Sequence, residues 1–266
     1  MVLVHGLGLS AESWGEVPGR LAGRHSVVTY DLRGHGRSGD AGSAGYTLDA
    51  HAGDLAAVLD AAYRRAGRRS SWVTASVEAS SWPRHGGPTW ATALPVSSSP
   101  GPVARGSPLR AFPARGLPPA LASLLRRAWF GALRATTLVG RRVWSVRWLS
   151  TRLVRRIGVG PKASQDVVDR VRKSFLSTRA PALAATTLAS LSHDGTDLAS
   201  SLQAPALVLH GGADPEVSED TLEELLIAVP GSERVEYPAA GHMLPLTHPA
   251  DVADQVARWT RRVLGP

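Results

Sequence analysis

The chain has 266 residues, a formal net charge of +8, 43% hydrophobic residues and no cysteine. This length suits one large α/β domain with an insertion, and the lack of thiols excludes disulfides, thiolate metal sites and a cysteine nucleophile. Only Lys162 and Lys173 among the 30 basic residues are lysines, an arginine bias that we attribute to a GC-rich gene. We therefore predict no nucleic-acid partner despite the charge.

Targeting signals are not evident along the chain. The N-terminus has no basic region followed by an apolar run, and no later stretch is apolar enough to span a bilayer. We predict a cytoplasmic protein.

The first third of the chain alternates between strand and helix patterns. Val2–Val4 is a short apolar run typical of a buried parallel strand, and residues 10–21 have helical spacing. Residues 26–30 include three consecutive β-branched residues and predict a second strand. A helix is predicted over residues 47–63, with Thr47 as its N-cap. This alternation favours an α/β fold with a doubly wound, mostly parallel sheet.

The rest of the chain divides into three stretches. Residues 70–101 keep neither period, although the next strand should lie there, and they complete an N-terminal half of the core, 1–107. Residues 108–191 are helical and arginine-rich, which predicts a helical cap. Residues 192–266 form a C-terminal half of the core, with strands over 204–210 and 233–237 and helices over 221–228 and 249–263.

Two turns near the N-terminus could serve a reaction. His5-Gly6-Leu7-Gly8 follows the first strand, and such a glycine-rich turn can direct backbone N–H groups at a developing oxyanion. Residues 31–38, Asp-Leu-Arg-Gly-His-Gly-Arg-Ser, follow the second strand as a charged tight turn. Arg33 and His35 are predicted to organise this turn rather than contact substrate.

An acid and a histidine follow two later strands. Asp214 comes after the strand that ends near His210, and His242 comes after the next strand. A serine hydrolase needs this pairing, because the histidine acts as general base and a buried carboxylate fixes its tautomer and stabilises the imidazolium. Either residue alone could equally be a polar turn former.

Taken together, these motifs resemble the signature set of the α/β-hydrolase superfamily, of the serine esterase, lipase and lactonase kind. The resemblance covers nearly the whole chain and implies Asp214 as triad acid, His242 as triad base, and Gly6 and Leu7 as the oxyanion turn. It implies a small acyl substrate and no metal or organic cofactor. The leading β-hairpin usual in such folds is missing. Membrane contact through the cap is not expected.

The nucleophile of such an enzyme is missing from the sequence as written. No Gly-x-Ser-x-Gly elbow occurs anywhere. Ser76 lies in the right region, but Thr74 and Glu78 flank it where the strained elbow needs small residues, so it is a weak candidate.

A local frameshift would explain this gap. When the last base of each codon is read with the first two of the next, Trp72-Val73 must give glycine. Residues 70–79 can then encode Val-Val-Gly-His-Ser-Leu-Gly-Gly-Ser, with the serine codon across Thr74 and Ala75. That codon ends in GC and cannot encode aspartate, which disfavours dehalogenase and epoxide hydrolase chemistry. The competing interpretation is an ordinary divergent loop.

The sequence therefore predicts a protein that ancestrally hydrolysed carboxylic esters or related acyl substrates by a Ser-His-Asp mechanism and is impaired as written. The alternative is a non-catalytic α/β-hydrolase-like binding protein or decayed enzyme. The remaining histidines are predicted to be structural: His210 and His248 beside the acid and histidine turns, and surface or loop positions for His25, His51, His85 and His193.

Overall fold

The computed structural model describes residues 1–42, 45–66, 72–76, 90–95, 139–191 apart from 141, 143 and 162, 204–229 apart from 215, 216 and 218, and 231–264. Its centre is one sheet of six strands with the order β2-β1-β3-β4-β5-β6. The strands are β1 (Val2–Val4), β2 (Val28–Tyr30), β3 (Trp72–Ser76), β4 (Trp90–Pro95), β5 (Ala206–Gly211) and β6 (Glu233–Tyr237). Every neighbouring pair is parallel, as predicted for an α/β fold.

Helices cover both faces of this sheet. A 3₁₀ helix (Ala11–Trp14) is followed by α1 (Val17–Ala22), α2 (Leu48–Ala66), α3 (Arg147–Val154), a π-helical turn (Arg155–Val159), α4 (Gln165–Ser177), α5 (Ala180–Leu191), α6 (Glu219–Ala228), α7 (Leu244–Thr247) and α8 (Pro249–Leu264). The predicted cap of Thr47 is present, since its Oγ1 accepts the Ala50 N–H at 3.2 Å.

The core consists of two layers because side chains alternate along β1. Leu3 belongs to a large cluster with Trp14 and Trp259, whereas Val2 and Val4 pack against α2 on the other face. β5 is buried along its whole length. Parallel strands covered on both faces place the functional loops at the carboxyl edge of the sheet.

Two strands lie inside the stretch that was predicted to be irregular. β3 pairs with β1 and β4, and β4 pairs with β5. One strand was expected in this stretch without bounds, and the structure has two. Partner strands on both sides stabilise segments that show no clear period of their own. Residues 67–71, 77–89 and 96–138 lie outside the described part of the chain.

Helices α3 to α5 are inserted between β4 and β5, and we call residues 139–191 the helical insert. α4 begins where Ser164 Oγ accepts the Val167 N–H at 3.4 Å. The insert falls within the predicted cap of residues 108–191, whose first part, 108–138, lies outside the described residues. The division at 107 and 191 stays a prediction.

Candidate active site

The turn after β1 presents an unused amide. The Leu9 N–H donates to Gly6 O at 3.1 Å, which closes a tight turn whose third residue, Gly8, has φ +70°. This left-handed conformation favours glycine. The Leu7 N–H has no hydrogen-bond partner in the part of the chain that the structure describes. Leu7 is also more exposed than the buried residues on either side of it.

The turn after β2 is organised around the Asp31 carboxylate. Asp31 Oδ1 accepts the Ala11 N–H at 2.7 Å, and its Oδ2 accepts the Arg37 N–H at 2.9 Å. Gly36, at φ +47°, lies so close to this carboxylate that a Cβ there would overlap it. Asp31 therefore holds the backbone of both N-terminal loops and is committed to structure.

Two buried histidines join the same loops. His5 Nε2 accepts the Leu32 N–H at 2.9 Å, and His35 Nε2 accepts the Gly8 N–H at 3.3 Å. Each Nδ1 lies near a carbonyl oxygen of its own loop, Gly6 O at 2.8 Å for His5 and Arg33 O at 3.0 Å for His35. An Nε2 that accepts a backbone N–H carries no proton, so both rings are Nδ1–H tautomers.

Arg33 forms an ion pair with a residue of α2. Its Nε and Nη2 each lie 2.7 Å from a different oxygen of Asp54 on α2, and its Nη1 donates to Gly45 O at 2.6 Å. This bidentate pair is the organising role predicted for Arg33. Asp54 was not anticipated, because an acidic residue on an amphipathic helix carries no sequence signal of its partner.

The acid and the histidine meet after β5 and β6. His242 Nδ1 donates to Asp214 Oδ2 at 3.0 Å, and Asp214 Oδ1 accepts the Val217 N–H at 3.3 Å. The Asp214 side chain is 0% exposed and that of His242 is 9% exposed. This contact keeps the proton on Nδ1 and the basic lone pair on Nε2.

Backbone contacts between the two turns hold this pair. The Ala213 N–H donates to Ala240 O and the Gly212 N–H to Tyr237 O, both at 3.0 Å. The turns approach so closely that a Cβ on Gly211 would overlap Gly241 O. Only a residue without a side chain permits this approach, which explains the glycine at the end of β5.

The histidine turn also rests on the helical insert. The Met243 N–H donates to Gly158 O at 3.1 Å, and Gly158 lies in the π-helical turn. Past the histidine, α7 packs on the segment that follows the first turn, where Leu246 Cδ2 would lie 3.1 Å from a Cβ on Gly15. This packing brings the His242 turn back toward β1. The π-helical turn had no visible signal in the sequence.

The insert reaches the first turn as well. Ser10 Oγ and the buried Ser174 Oγ of α4 are 2.8 Å apart. The Phe175 ring lies against Gly8, with Cδ2 3.1 Å from the position of a glycine Cβ. Trp144 stacks on Phe175 with ring centroids 4.2 Å apart. Phe175 of this aromatic pair thus contacts Gly8, the residue that follows Leu7.

The weak nucleophile candidate Ser76 is the last residue of β3. It pairs in register with Val4, the residue before His5, so the β3 backbone ends beside the first turn. The Ser76 side chain and residues 77–89 lie outside what the structure describes. The structure therefore joins the predicted acid and histidine to each other and leaves the nucleophile prediction untested.

The prediction of a surface or loop position is wrong for His51. His51 is 2% exposed on α2, with Nε2 3.3 Å from Thr186 Oγ1 of α5. The error has a physical cause, because the insert covers a helix face that would be open in a bare α/β sandwich. His210 is buried and His248 half-buried beside the two turns, as expected, while His85 and His193 lie outside the described residues.

Within the described residues, no group of three or more His, Cys, Asp or Glu side chains could hold a metal ion. The same residues include no helix of the length and apolarity needed to cross a bilayer.

A model of the alpha/beta hydrolase family matches residues 1–255. The chain belongs to the alpha/beta hydrolase family. Its fold is similar to that of a thermophilic esterase from Thermogutta terrifontis (22% identity, TM-score 0.70, 98% of this chain and 89% of that one). It is also similar to an esterase from Exiguobacterium antarcticum (16% identity, TM-score 0.73, 98% of this chain and 91% of that one). A third similar structure is an enol-lactonase from Burkholderia xenovorans LB400 (20% identity, TM-score 0.67, 97% of this chain and 89% of that one). No curated protein sequence matches this alpha/beta hydrolase.

Proposed function

We propose that this alpha/beta hydrolase is built for hydrolysis of carboxylic esters or related acyl substrates and lacks its nucleophile as translated. The observation that carries the proposal is the hydrogen bond between His242 Nδ1 and the fully buried Asp214 carboxylate. A buried carboxylate on the Nδ1 side leaves Nε2 to accept the proton of a hydroxyl and stabilises the imidazolium that results. A histidine held only for structure does not need a charged acceptor.

The remaining machinery is assigned by position. The Leu7 N–H, which has no partner among the described residues, is proposed as one oxyanion donor, next to Gly6 in the same turn. The end of β3 lies beside this turn, because Ser76 pairs with Val4, and we place the restored elbow at this end of the strand. Phe175 is proposed to contact the acyl group, since its ring lies against Gly8.

In the reaction, the serine oxygen attacks the acyl carbon while His242 Nε2 takes the hydroxyl proton. The tetrahedral oxyanion forms against the Leu7 N–H and the amide that follows the nucleophile, and collapse releases the alcohol with the proton from His242. Water then attacks the acyl-enzyme by the same route and releases the acid. The acid–histidine pair is unchanged after each cycle.

A local frameshift that includes residues 70–79 remains our explanation for the missing serine. The gene between the codons for Ala66 and Arg105 tests it: the proposal requires the offset frame to encode Gly-x-Ser-x-Gly, and an offset frame without that string ends it.

Restoring the elbow is the functional test. The translated chain and a version carrying Val-Val-Gly-His-Ser-Leu-Gly-Gly-Ser in place of residues 70–78 are assayed with p-nitrophenyl acetate and a fluorophosphonate probe. Loss of a triad serine costs about 10⁶ in turnover, so restoration should raise kcat by about that factor and introduce labelling. Ser76→Ala in the translated chain is the matched control and should change nothing.

A second function is favoured by the missing elbow itself: a protein that binds an acyl compound without turning it over. It predicts that the restored chain gains no labelling and no hydrolysis, while the translated chain binds the ester substrate. Labelling of the translated chain that disappears in Ser76→Ala would instead identify Ser76 as the nucleophile.

A further inference from the structure

Three hydrogen bonds connect the first loop to the second loop, and two of them form a reciprocal pair. His5 of the first loop accepts the Leu32 N–H of the second, and His35 of the second accepts the Gly8 N–H of the first. The two ring centroids are 5.4 Å apart. Asp31 Oδ1 of the second loop also accepts the Ala11 N–H. Within its own loop, each ring donates from Nδ1 to a backbone carbonyl oxygen.

We propose that His5 and His35 form a reciprocal brace between the two N-terminal loops, and that His35 is a positioning residue for the oxyanion turn. Gly8 follows Leu7 directly, so the bond from the Gly8 N–H to His35 fixes the peptide next to the Leu7 amide. The direction in which the Leu7 N–H points is then set by His35, which lies 27 positions after Gly8 in the chain.

The burial of both rings supports the brace. His35 is 0% and His5 1% exposed. Burial, with the neighbouring His35 as a second cause, lowers the pKa of His5 to about 3, and burial also lowers the pKa of His35. Both rings therefore stay neutral at neutral pH and retain an Nε2 lone pair for the backbone N–H. In a protonated ring, an Nε2–H would face the backbone N–H that it now accepts, and the hydrogen bond would be lost.

The two ring nitrogens of His35 have separable functions. Nδ1 serves its own turn through Arg33 O, and Nε2 serves the first turn through Gly8. Glutamine places its Oε1 near the position of Nε2 and can accept the Gly8 N–H, whereas asparagine is shorter and can replace only Nδ1. His35→Gln and His35→Asn are thus a matched pair that distinguishes the brace from a role confined to the second turn.

The test is amide hydrogen exchange of Gly8, followed by NMR on the translated chain. We expect exchange in His35→Gln within about twofold of the unmodified chain and exchange in His35→Asn roughly tenfold faster, since one backbone hydrogen bond is lost. His25→Gln, a histidine without a bond to either loop, is the control. Equal exchange in the two His35 variants, or protection by asparagine alone, would overturn the proposal.

A second measurement needs no variant. Long-range ¹H–¹⁵N correlation of the ring nitrogens should show a protonated Nδ1 and an unprotonated Nε2 for both His5 and His35. A protonated Nε2 on either ring refutes the brace, because that nitrogen could not accept a backbone N–H. This readout decides the matter even if a His35 variant fails to fold.

The catalytic consequence rests on the proposed function, while the brace does not. In the elbow-restored chain, His35→Asn should lower kcat by about tenfold or more with KM nearly unchanged, because the oxyanion contact is made in the transition state. His35→Gln should retain most of kcat. An inactive restored chain with a protected Gly8 amide would reject the proposed function and leave the brace intact.

Discussion

Buried histidines at the carboxyl edge of this sheet make two different kinds of hydrogen bond through Nδ1. His5 and His35, beside β1 and β2, donate from Nδ1 to carbonyl oxygens and accept backbone N–H groups at Nε2. His242, after β6, donates from Nδ1 to the carboxylate of Asp214. All three have the same tautomer. The acceptor on Nδ1 makes the difference, because a carboxylate stabilises an imidazolium far better than a carbonyl does.

The largest expected effect removes that carboxylate. In the elbow-restored chain, Asp214→Asn keeps a hydrogen-bonding group of the same shape but favours the wrong tautomer and cannot stabilise the imidazolium. We expect kcat for p-nitrophenyl acetate to fall by about 10⁴. Asp60→Asn, an exposed acid on α2, is the control and should leave kcat unchanged. A fall below tenfold in Asp214→Asn would remove the distinction between the two kinds of histidine.

A smaller effect is expected where the braced loops meet the insert. Gly34 has φ +73°, and a Cβ there would overlap Ala182 Cβ of α5 and lie 2.7 Å from Tyr46 Oη. Gly34→Ala should lower the free energy of unfolding by about 3 kcal/mol or more, measured in urea.

Gly53 offers the opposite result as a control for that variant. It lies on α2 with nothing within 4 Å of a Cβ, so Gly53→Ala should raise the free energy of unfolding by about 1 kcal/mol. If Gly34→Ala unfolds like the unmodified chain, the insert does not pack on the second turn as described.

A more gradual effect is a pH dependence of the free energy of unfolding, which the structural histidines cause. Burial lowers the pKa of His5 to about 3 and that of His51 to about 4, from the usual 6.5. The unfolded chain therefore takes up protons first as the pH falls below 6.5. The contribution of the two neutral rings to the free energy of unfolding is fully present above pH 6.5. It decreases by roughly 1.4 kcal/mol per pH unit for each ring as the pH falls, down to about pH 4 for His51 and about pH 3 for His5.

His51→Leu isolates one ring. Among the described residues His51 Nδ1 is buried without a partner, and the ring's one hydrogen bond joins Nε2 to Thr186 Oγ1. Loss of that bond should lower the free energy of unfolding at every pH, whereas loss of the titrating ring changes only its dependence on pH. The slope of unfolding free energy against pH between 6 and 4.5 should decrease by about 1.4 kcal/mol per pH unit. An unchanged slope would mean that His51 titrates normally in the folded chain.

Local patterns in the sequence predicted four of the six strands described in the sheet. β1 and β6 appear at the predicted positions, and α8 differs from its prediction by one residue, because apolar periodicity reports directly on burial. β3 and β4 were not recognised as separate strands. Their stability depends on partners on both sides, which no local window contains.

The site was predictable to the extent that each residue follows a strand. Asp214 and His242 were paired in advance because carboxyl ends of parallel strands share one edge. The reciprocal contacts of His5 and His35 and the burial of His51 were not predictable, since they depend on which loops and helices meet in space. The sequence around a histidine does not reveal which atom its ring will contact in the folded chain.

The hydrogen bond from the Met243 N–H to Gly158 O links the insert to the residue after His242. If the insert swung away from the sheet to admit a ligand, this bond would break and the histidine turn would lose one of its supports. The position of His242 therefore depends on the insert as well as on the two strands that precede the acid and the histidine.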